Sequence, residues 1–160
     1  MKFRKGDIED VVVKELRKFI DERGWLAELF RQDEIDKESY PVMSYVSMTI
    51  PGVTRGPHEH IEQTDYFCFL SLSNFKLVLW DNRKDSTTYM NKRVLFVGED
   101  NPVAVQVPPG VVHAYRNIGL ELGYVFNFPN RLFAGRDKKE KVDEIRYEND
   151  EECIFMVDEE

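Results

Sequence analysis

The sequence predicts an all-β fold of the sandwich or jelly-roll type. Apolar runs of about five or six residues recur at intervals of roughly 8 to 12 residues, the spacing of strands joined by turns. Pro-Gly and Gly-Pro pairs stand among these runs, and no amphipathic helix separates them. The chain has 160 residues, a length that fits one domain. We therefore expect residues 1–160 to form a single domain with a core over about 25–130.

The strands are predicted in chain order from hydrophobic periodicity. The first 24 residues are ambiguous, because apolar residues recur there at helical spacing while residues 11–13 form a β-branched run. A polar turn follows at 21–24, and residues 25–30 are a short strand candidate. The clearer strands are residues 42–50, 66–70, 75–80, 93–97, 103–107 and 124–128. In the charged extension, residues 136–160, later apolar residues predict a short helix or turn and a late strand.

The acidic charge of the chain is concentrated near its end. Residues 136–160 carry 5 basic and 11 acidic side chains, whereas the whole chain has a formal net charge of −8. Such a protein is not expected to bind nucleic acid or an anionic membrane through charge. No apolar run approaches the roughly 20 residues of a membrane span, and the N-terminal residues do not resemble a secretory signal. We expect a cytoplasmic protein in which Cys68 and Cys153 remain free thiols.

The three histidines of the chain fall in two short motifs. His58 and His60 belong to Arg-Gly-Pro-His-Glu-His, and alternate residues of a strand face the same side. His113 follows a Pro-Pro-Gly turn, which can direct the next strand's side chain into the mouth of a small barrel. Together with Asp65 or Glu62, the three imidazoles would form a ligand set for Zn, Fe or Mn with an open position.

These motifs resemble those of the cupin superfamily. The second cupin motif is Pro-x-Gly-x-x-His-x-x-x-Asn, and all four of its positions are matched by Pro108, Gly110, His113 and Asn117. The first motif begins with His-x-His, which His58 and His60 match, and Asp65 stands where glutamate is usual. The resemblance covers residues 58–117 and implies a cupin jelly roll.

A longer resemblance, over about residues 11–147, is to the dTDP-4-dehydrorhamnose 3,5-epimerase family. It is carried by four segments, Asp-Glu-Arg-Gly at 21–24, Glu-Leu-Phe-Arg at 28–31, Arg-Gly-Pro-His at 55–58 and Asp-Asn-Arg at 81–83. The resemblance implies an epimerase of a nucleotide-linked 4-keto-6-deoxy sugar that needs no metal or other cofactor. A histidine with an ordinary pKa of about 6.5 suits proton removal beside a carbonyl near neutral pH.

The same resemblance implies roles for individual residues. His58 would be the catalytic base, and Asp143 would be its carboxylate partner. The side chains implied to bind the sugar or line its pocket are Arg55, His60 and His113. Arg23 and Glu28 would face the nucleotide.

The proton donor is predicted from a departure in the sequence. The donating tyrosine of the family would follow Tyr124-Val125-Phe126, but this chain continues there with Asn-Phe-Pro. Phenylalanine cannot donate a proton, whereas a phenol with a pKa near 10 is a useful acid. We therefore predict that Tyr66 or Tyr115 supplies the proton, or that the reaction differs from a double epimerisation.

The sequence is also compatible with three different functions. Arg-Gly-x-His-x-His resembles the sugar-nucleotide 3,4-ketoisomerases, which implies isomerisation of the same class of substrate. The second possible function is that of a metal-binding cupin, and the third is that of a non-catalytic module that binds a sugar nucleotide. In each case we expect a homodimer, because a second copy would cover the exposed edges of the barrel.

Overall fold

Two β-sheets face each other in the computed structural model of this chain, which describes residues 2–158. The strands are β1 (Arg4–Lys5), β2 (Val12–Glu15), β3 (Phe19–Asp21), β4 (Gly24–Leu26), β5 (Tyr45–Thr49), β6 (Thr54–Glu59), β7 (Asp65–Phe69), β8 (Asn74–Asp81), β9 (Asn91–Gly98), β10 (Val103–Val107), β11 (Val111–Asn117), β12 (Gly123–Asn127) and β13 (Ile145–Arg146). Three short 3-10 helices span Gln32–Glu34, Lys37–Ser39 and Arg136–Lys138.

The strand order places early and late segments side by side. One sheet has the order β1-β9-β8-β11-β6-β13, and the other has the order β2-β10-β7-β12-β5. The short hairpin β3-β4 stands apart from both sheets. This arrangement confirms the predicted all-β fold and resolves the ambiguous first segment as strands. Among the described residues, no helix is long and apolar enough to cross a membrane.

The shared core lies between the two sheets and is filled by every second side chain of their strands. On β7, Phe67 and Phe69 join the central cluster, whereas Tyr66 and Cys68 belong to a second cluster on the opposite face. Alternate side chains of a strand point to opposite faces, so a strand covered on both sides is apolar throughout. All five residues of β7 are buried, which explains the apolar run that follows Asp65.

The charged C-terminal extension packs against the outer face of the six-stranded sheet. Phe155 is buried in a cluster with Trp80 and Val112, and its ring centroid lies 5.7 Å from that of Trp80. Strand β13 in the same extension pairs with β6. The apolar residues of the extension therefore fix its path, and this path brings residues 143–146 next to the histidine motif.

Candidate functional site

Three imidazoles meet where β6 and β11 lie side by side. His58 on β6 is directly opposite His113 on β11, and residues directly opposite in an antiparallel pair face the same side. His60 follows the end of β6. The ring centroids are 4.3 Å apart for His58 and His113, 5.6 Å for His58 and His60, and 5.9 Å for His60 and His113.

Gly56 permits this close approach of the two strands. Its φ is +83°, and a Cβ atom there would lie 2.5 Å from the carbonyl oxygen of His113. A side chain at this position would therefore be strained and would also collide with β11. The glycine of the Arg-Gly-Pro-His motif thus sets the spacing between His58 and His113.

A buried carboxylate approaches the imidazoles from the opposite sheet. Asp65 Oδ2, at the start of β7, lies 3.1 Å from His60 Nε2 and 3.4 Å from His113 Nε2. Asp65 Oδ1 accepts hydrogen bonds from the side-chain amides of Gln63 and Asn127. Burial would raise the pKa of Asp65, but its contact with His60 and the charges of the neighbouring histidines lower it. The side chain is therefore an anion facing two imidazoles.

Main-chain carbonyls orient two of the imidazoles by accepting hydrogen from their Nδ1 atoms. His113 Nδ1 lies 3.1 Å from the carbonyl oxygen of Val111, and His60 Nδ1 contacts the carbonyl oxygen of Asp143. A carbonyl oxygen only accepts, so each Nδ1 is a donor and each Nε2 is turned towards Asp65. Burial would lower the pKa of His60, but the nearby Asp65 carboxylate raises it to about 9.

His58 has a different carboxylate partner. Its Nε2 lies 3.7 Å from Oε1 of Glu144, and Glu144 accepts a hydrogen bond of 2.7 Å from Arg146. Burial and the charges of the two other histidines lower the pKa of His58 to about 2. His58 is therefore neutral near pH 7, and so low a pKa also makes it a weak base unless a negative charge stabilises its protonated form.

Asp143 does not occupy the place expected for the partner of His58. Its carboxylate accepts hydrogen bonds of 2.8, 2.9 and 2.8 Å from the main-chain N–H groups of residues 61, 62 and 63. Asp143 thereby shapes the loop after His60, and the adjacent Glu144 faces His58. Neighbouring side chains of an extended chain point to opposite sides. The carboxylate that faces His58 is therefore that of Glu144, one residue after the expected Asp143.

A cavity of about 770 Å³ opens in front of His58 and His60. Tyr45 and much of the segment 129–146 line it, so the C-terminal extension forms a large part of its wall. The cationic side chains in its lining are Arg131, Arg136, Lys138, Lys141 and Arg146. The volume is within the range of small-molecule sites, roughly 300–1,000 Å³.

Tyr45 is the phenol that lies in this cavity, and the sequence reasoning missed it. Tyr45 on β5 is directly opposite Asn127 on β12, and its hydroxyl accepts a hydrogen bond of 2.9 Å from the Asn127 side chain. Burial and the charge of Asp65 raise the pKa of Tyr45, so the phenol keeps its proton. The family's tyrosine would follow Phe126, and this chain has Asn127 there. The residue opposite Asn127 on the neighbouring strand is Tyr45, so this pairing is the signal that could have identified it.

The two tyrosines predicted as proton donors lie elsewhere. Tyr66 is on the outer face of β7, where its hydroxyl donates to the carbonyl oxygen of Leu29. Its side chain points the opposite way from that of Asp65 and does not line the cavity, so this geometry does not support the predicted role of Tyr66 as the catalytic acid. Tyr115 is in the core and its hydroxyl is 3.0 Å from Ser47 Oγ, so it does not line the cavity.

Several of the predicted substrate-binding residues are outside the cavity lining. The Arg55 guanidinium donates to Thr49 and to the carbonyl oxygen of Met48, both near the end of β5. Arg23 is paired with Asp21 on the β3-β4 hairpin, and Glu28 is paired with Arg31. His113 is also absent from the lining, because it is buried behind the other two histidines.

Comparison with known proteins gives a consistent result over most of the chain. The family model described as dTDP-4-dehydrorhamnose 3,5-epimerase matches residues 5–138. A curated relative, the probable low-salt glycan biosynthesis epimerase Agl13 of Haloferax volcanii, is 36% identical over 136 residues. That match covers 84% of this chain and 86% of the relative.

Two solved structures share the fold at low sequence identity. A dTDP sugar isomerase from Desulfovibrio desulfuricans has a TM-score of 0.79 at 22% identity, covering 90% of this chain and 87% of that chain. The enzyme RmlC from Legionella pneumophila, solved with dTDP-4-keto-L-rhamnose, has a TM-score of 0.72 at 19% identity. That second match covers 82% of this chain and 72% of that chain. The expected cupin jelly roll is thereby confirmed.

Proposed function

This chain belongs to the dTDP-4-dehydrorhamnose 3,5-epimerase family, a family of sugar-nucleotide isomerases, and we propose that it epimerises a nucleotide-linked 4-keto-6-deoxy sugar. The observation that carries the proposal is the cavity whose lining contains neutral His58, its neighbour Glu144 and the phenol of Tyr45. The ligand of the Legionella structure, dTDP-4-keto-L-rhamnose, is a molecule of the proposed class.

In the proposed reaction, His58 removes the proton beside the sugar carbonyl. The protonated imidazole would gain the negative charge of Glu144 as its partner, which stabilises the charged form of the base. Arg146 holds the Glu144 carboxylate in place through its hydrogen bond. This arrangement gives Glu144 the role that the resemblance implied for Asp143.

Tyr45 is the proposed acid that returns a proton to the sugar carbon. Its oxygen accepts from the Asn127 amide, which leaves its own O–H free to donate. Asn127 also binds Asp65, so the phenol is held by a side chain that is itself fixed in the core. The proposed donor therefore lies on β5, next to β12, the strand where the resemblance would place the family's tyrosine.

The nucleotide diphosphate is proposed to bind at the cationic part of the cavity wall. Among the residues that the structure describes, Arg136, Lys138 and Lys141 form no ion pair within 4.0 Å, whereas Arg131 is paired with Glu62. Four residues of this loop, Ala134, Gly135, Asp137 and Lys138, have positive φ values. Strained backbone of this kind is common at ligand clamps, and free cationic groups suit a diphosphate.

Replacing Lys138 and Lys141 together by alanine is expected to raise KM for the nucleotide sugar by about tenfold or more, with a smaller change in kcat. The reason is that these side chains would bind the diphosphate equally in the ground state and the transition state. Lys139 is the matched control, because it lies between them, is outside the cavity lining and pairs with Asp137. Equal effects of Lys139→Ala and the double substitution on KM would contradict this assignment.

Proton exchange in D₂O tests the reaction itself. The protein would be incubated with a dTDP-4-keto-6-deoxy sugar, and the product would be analysed by NMR and mass spectrometry. Deuterium at both C3 and C5 is the expected result for an epimerase. Deuterium at C3 together with a moved carbonyl would instead support a 3,4-ketoisomerase, for which the proximity of His60 to His58 is the favouring observation. No exchange with retained binding would indicate a non-catalytic module.

A homodimer is proposed from the exposed surface of β5. This edge strand carries exposed Val46 and Met48 on the face opposite Ser47, and the β3-β4 hairpin exposes Ile20 and Leu26. Sedimentation equilibrium is expected to give twice the chain mass of 18.9 kDa, and a monomer at micromolar concentration would contradict the proposal. Arg23 and Glu28 lie outside the lining of the cavity, and their contact with the nucleotide stays a prediction. The cytoplasmic location also stays a prediction.

A further inference from the structure

Arg146 lies in one row with two of the imidazoles. On the six-stranded sheet, His113 is directly opposite His58, and His58 is directly opposite Arg146 on the next strand, β13. Residues directly opposite in antiparallel strands face the same side, with Cβ atoms about 4.5–5.5 Å apart. The guanidinium of Arg146 therefore belongs to the face of the sheet that carries His58, and both side chains line the cavity.

One nitrogen of this guanidinium is held by a carboxylate. Arg146 Nε donates a hydrogen bond of 2.7 Å to Oε2 of Glu144, and Oε1 of the same carboxylate lies 3.7 Å from His58 Nε2. Among residues 2–158, the two terminal nitrogens of Arg146 make no hydrogen bond, and 65% of the side-chain surface is exposed. A guanidinium carries N–H donors on all three nitrogens, so those of the terminal nitrogens remain for a ligand next to His58.

The other cationic groups near the cavity are less well placed for such a ligand. Arg55 turns to the end of β5, and Arg131 already has a carboxylate partner. Both ring nitrogens of His60 are engaged, one by a main-chain carbonyl and one by a carboxylate. The remaining cations of the lining belong to the loop that precedes β13, and they are Arg136, Lys138 and Lys141. Among the described lining residues, Arg146 is thus the cation on the strand beside His58.

The proposed reaction needs a cation at this place. When His58 takes the proton, the electron pair of the C–H bond becomes the double bond of an enolate, and the carbonyl π pair moves to the oxygen. Donors held where this negative charge develops lower the barrier, and loss of one such donor costs about 10²–10³-fold in rate. When Tyr45 returns a proton to the carbon, the pair returns to the carbonyl. A guanidinium stays protonated at neutral pH, so it stabilises the oxygen without exchanging a proton.

We propose that Arg146 is a catalytic residue whose terminal N–H groups bind the carbonyl oxygen of the keto sugar and stabilise the enolate. The inference rests on the proposed function and adds to it the group that receives the charge of the substrate. Residues 144 and 146 are two apart on an extended segment and therefore face the same side. One oxygen of Glu144 would then face the protonated His58, while the other fixes the guanidinium.

The test compares deuterium exchange into a dTDP-4-keto-6-deoxy sugar for the wild type, Arg146→Met and Arg146→Lys. Methionine keeps much of the length of the side chain without its charge, and the exchange rate is expected to fall by about 10²–10³-fold. Lysine restores the charge without the planar fork, so a smaller loss is expected. Affinity for a dTDP-6-deoxy sugar with a hydroxyl in place of the ketone is measured by calorimetry. It is expected to change little, because the interaction strengthens only when the enolate forms.

Arg116→Met is the matched control. Arg116 on β11 is also paired with a carboxylate, that of Asp158, but it lies outside the cavity lining. The substitution removes the same charge from the protein and is expected to leave the exchange rate unchanged. A similar loss of rate in Arg116→Met and Arg146→Met would mean that the effect comes from total charge, which contradicts the inference.

A double-mutant cycle with Glu144→Gln separates direct action from an effect through Glu144. If Arg146 only held Glu144 in place, adding Arg146→Met to Glu144→Gln would cause no further loss of rate. We expect a further loss, because the enolate would still lack its cation. Addition of methylguanidinium is expected to restore part of the rate of Arg146→Ala, in which the vacated space can admit it.

Two further results would overturn the inference. One is a wild-type exchange rate in a folded Arg146→Met, and the other is an unchanged rate when Arg146→Met is added to Glu144→Gln, which would leave Arg146 a positioning residue. The side chain is exposed, and circular dichroism of each variant checks that it folds. Absence of exchange in the wild-type protein would reject the proposed function itself. Wild-type exchange that persists in Arg146→Met would reject this inference alone.

Discussion

Replacement of His58 by glutamine is expected to lower the rate of deuterium exchange into a dTDP-4-keto-6-deoxy sugar by about 10²- to 10⁴-fold, the usual contribution of a general base. Glutamine has nearly the reach of histidine but cannot accept the proton at neutral pH. Burial and the neighbouring imidazoles keep His58 neutral, and the charge of Glu144 would stabilise it once it has taken up the proton. The measurement is single-turnover exchange in D₂O followed by NMR.

The neighbouring pair Asp143 and Glu144 provides the control for this prediction. Glu144→Gln keeps the shape of the side chain but removes the charge 3.7 Å from His58 Nε2, and it is expected to slow exchange by about tenfold or more. Asp143→Asn removes the charge of the carboxylate that accepts three main-chain hydrogen bonds. Its main expected effect is a lower melting temperature and not a slower exchange. A large loss of exchange in a fully folded Asp143→Asn, with Glu144→Gln unaffected, would contradict the pairing of His58 with Glu144.

Replacement of Tyr45 by phenylalanine is the second large effect, an expected loss of about 10²- to 10⁴-fold in product formation. The substitution removes only the hydroxyl, so the packing of the ring and the binding of the sugar nucleotide are expected to remain. Because the raised pKa keeps the phenol protonated, Tyr45 is a donor across the neutral range. Proton removal by His58 does not need this hydroxyl. In water, the rate at which a deuterated substrate loses its label is therefore expected to fall less than the rate of epimer formation.

Tyr66→Phe is the matched control for Tyr45→Phe. Its hydroxyl donates to the carbonyl oxygen of Leu29 on the outer face of the sheet. We expect a cost of about 1 kcal/mol in stability, the ordinary value of one hydrogen bond, and an unchanged rate. A loss of activity in Tyr66→Phe equal to that in Tyr45→Phe would restore the assignment made from sequence.

The fold was largely predictable because its strands are short and bounded by turns. Strand β10 was predicted at its observed limits, β8 is longer than predicted by one residue at each end, and β12 is shifted by one residue. The first segment was ambiguous because apolar spacing there fits a helix, and only pairing of β2 with β10 decides for a strand. The predicted strand at 25–30 is shorter, since β4 pairs only with β3 and residues 27 and 29 instead turn onto the outer cluster.

The arrangement of the site was predictable only in part, and the differences from the expected arrangement have a common cause. His58, His60 and Asp65 came from motifs whose spacing is local, and the structure brings them together with His113. The proposed roles of Glu144 and Tyr45 were not predicted, because their positions depend on which face of a distant segment each residue occupies. A shift of one residue, from Asp143 to Glu144, reverses that face. For Tyr45, the decisive fact is its register opposite Asn127.

By itself, the sequence determined the all-β fold, the histidine motifs and, through resemblance, the class of reaction. These properties depend on local alternation, on turn residues and on short motifs, all of which act between near neighbours in the chain. Only the tertiary structure decided which carboxylate faces His58, which phenol reaches the cavity and which imidazoles share Asp65. Those facts depend on strand register and on where Phe155 anchors the C-terminal extension. Register is a property of two paired strands, so no single segment contains it.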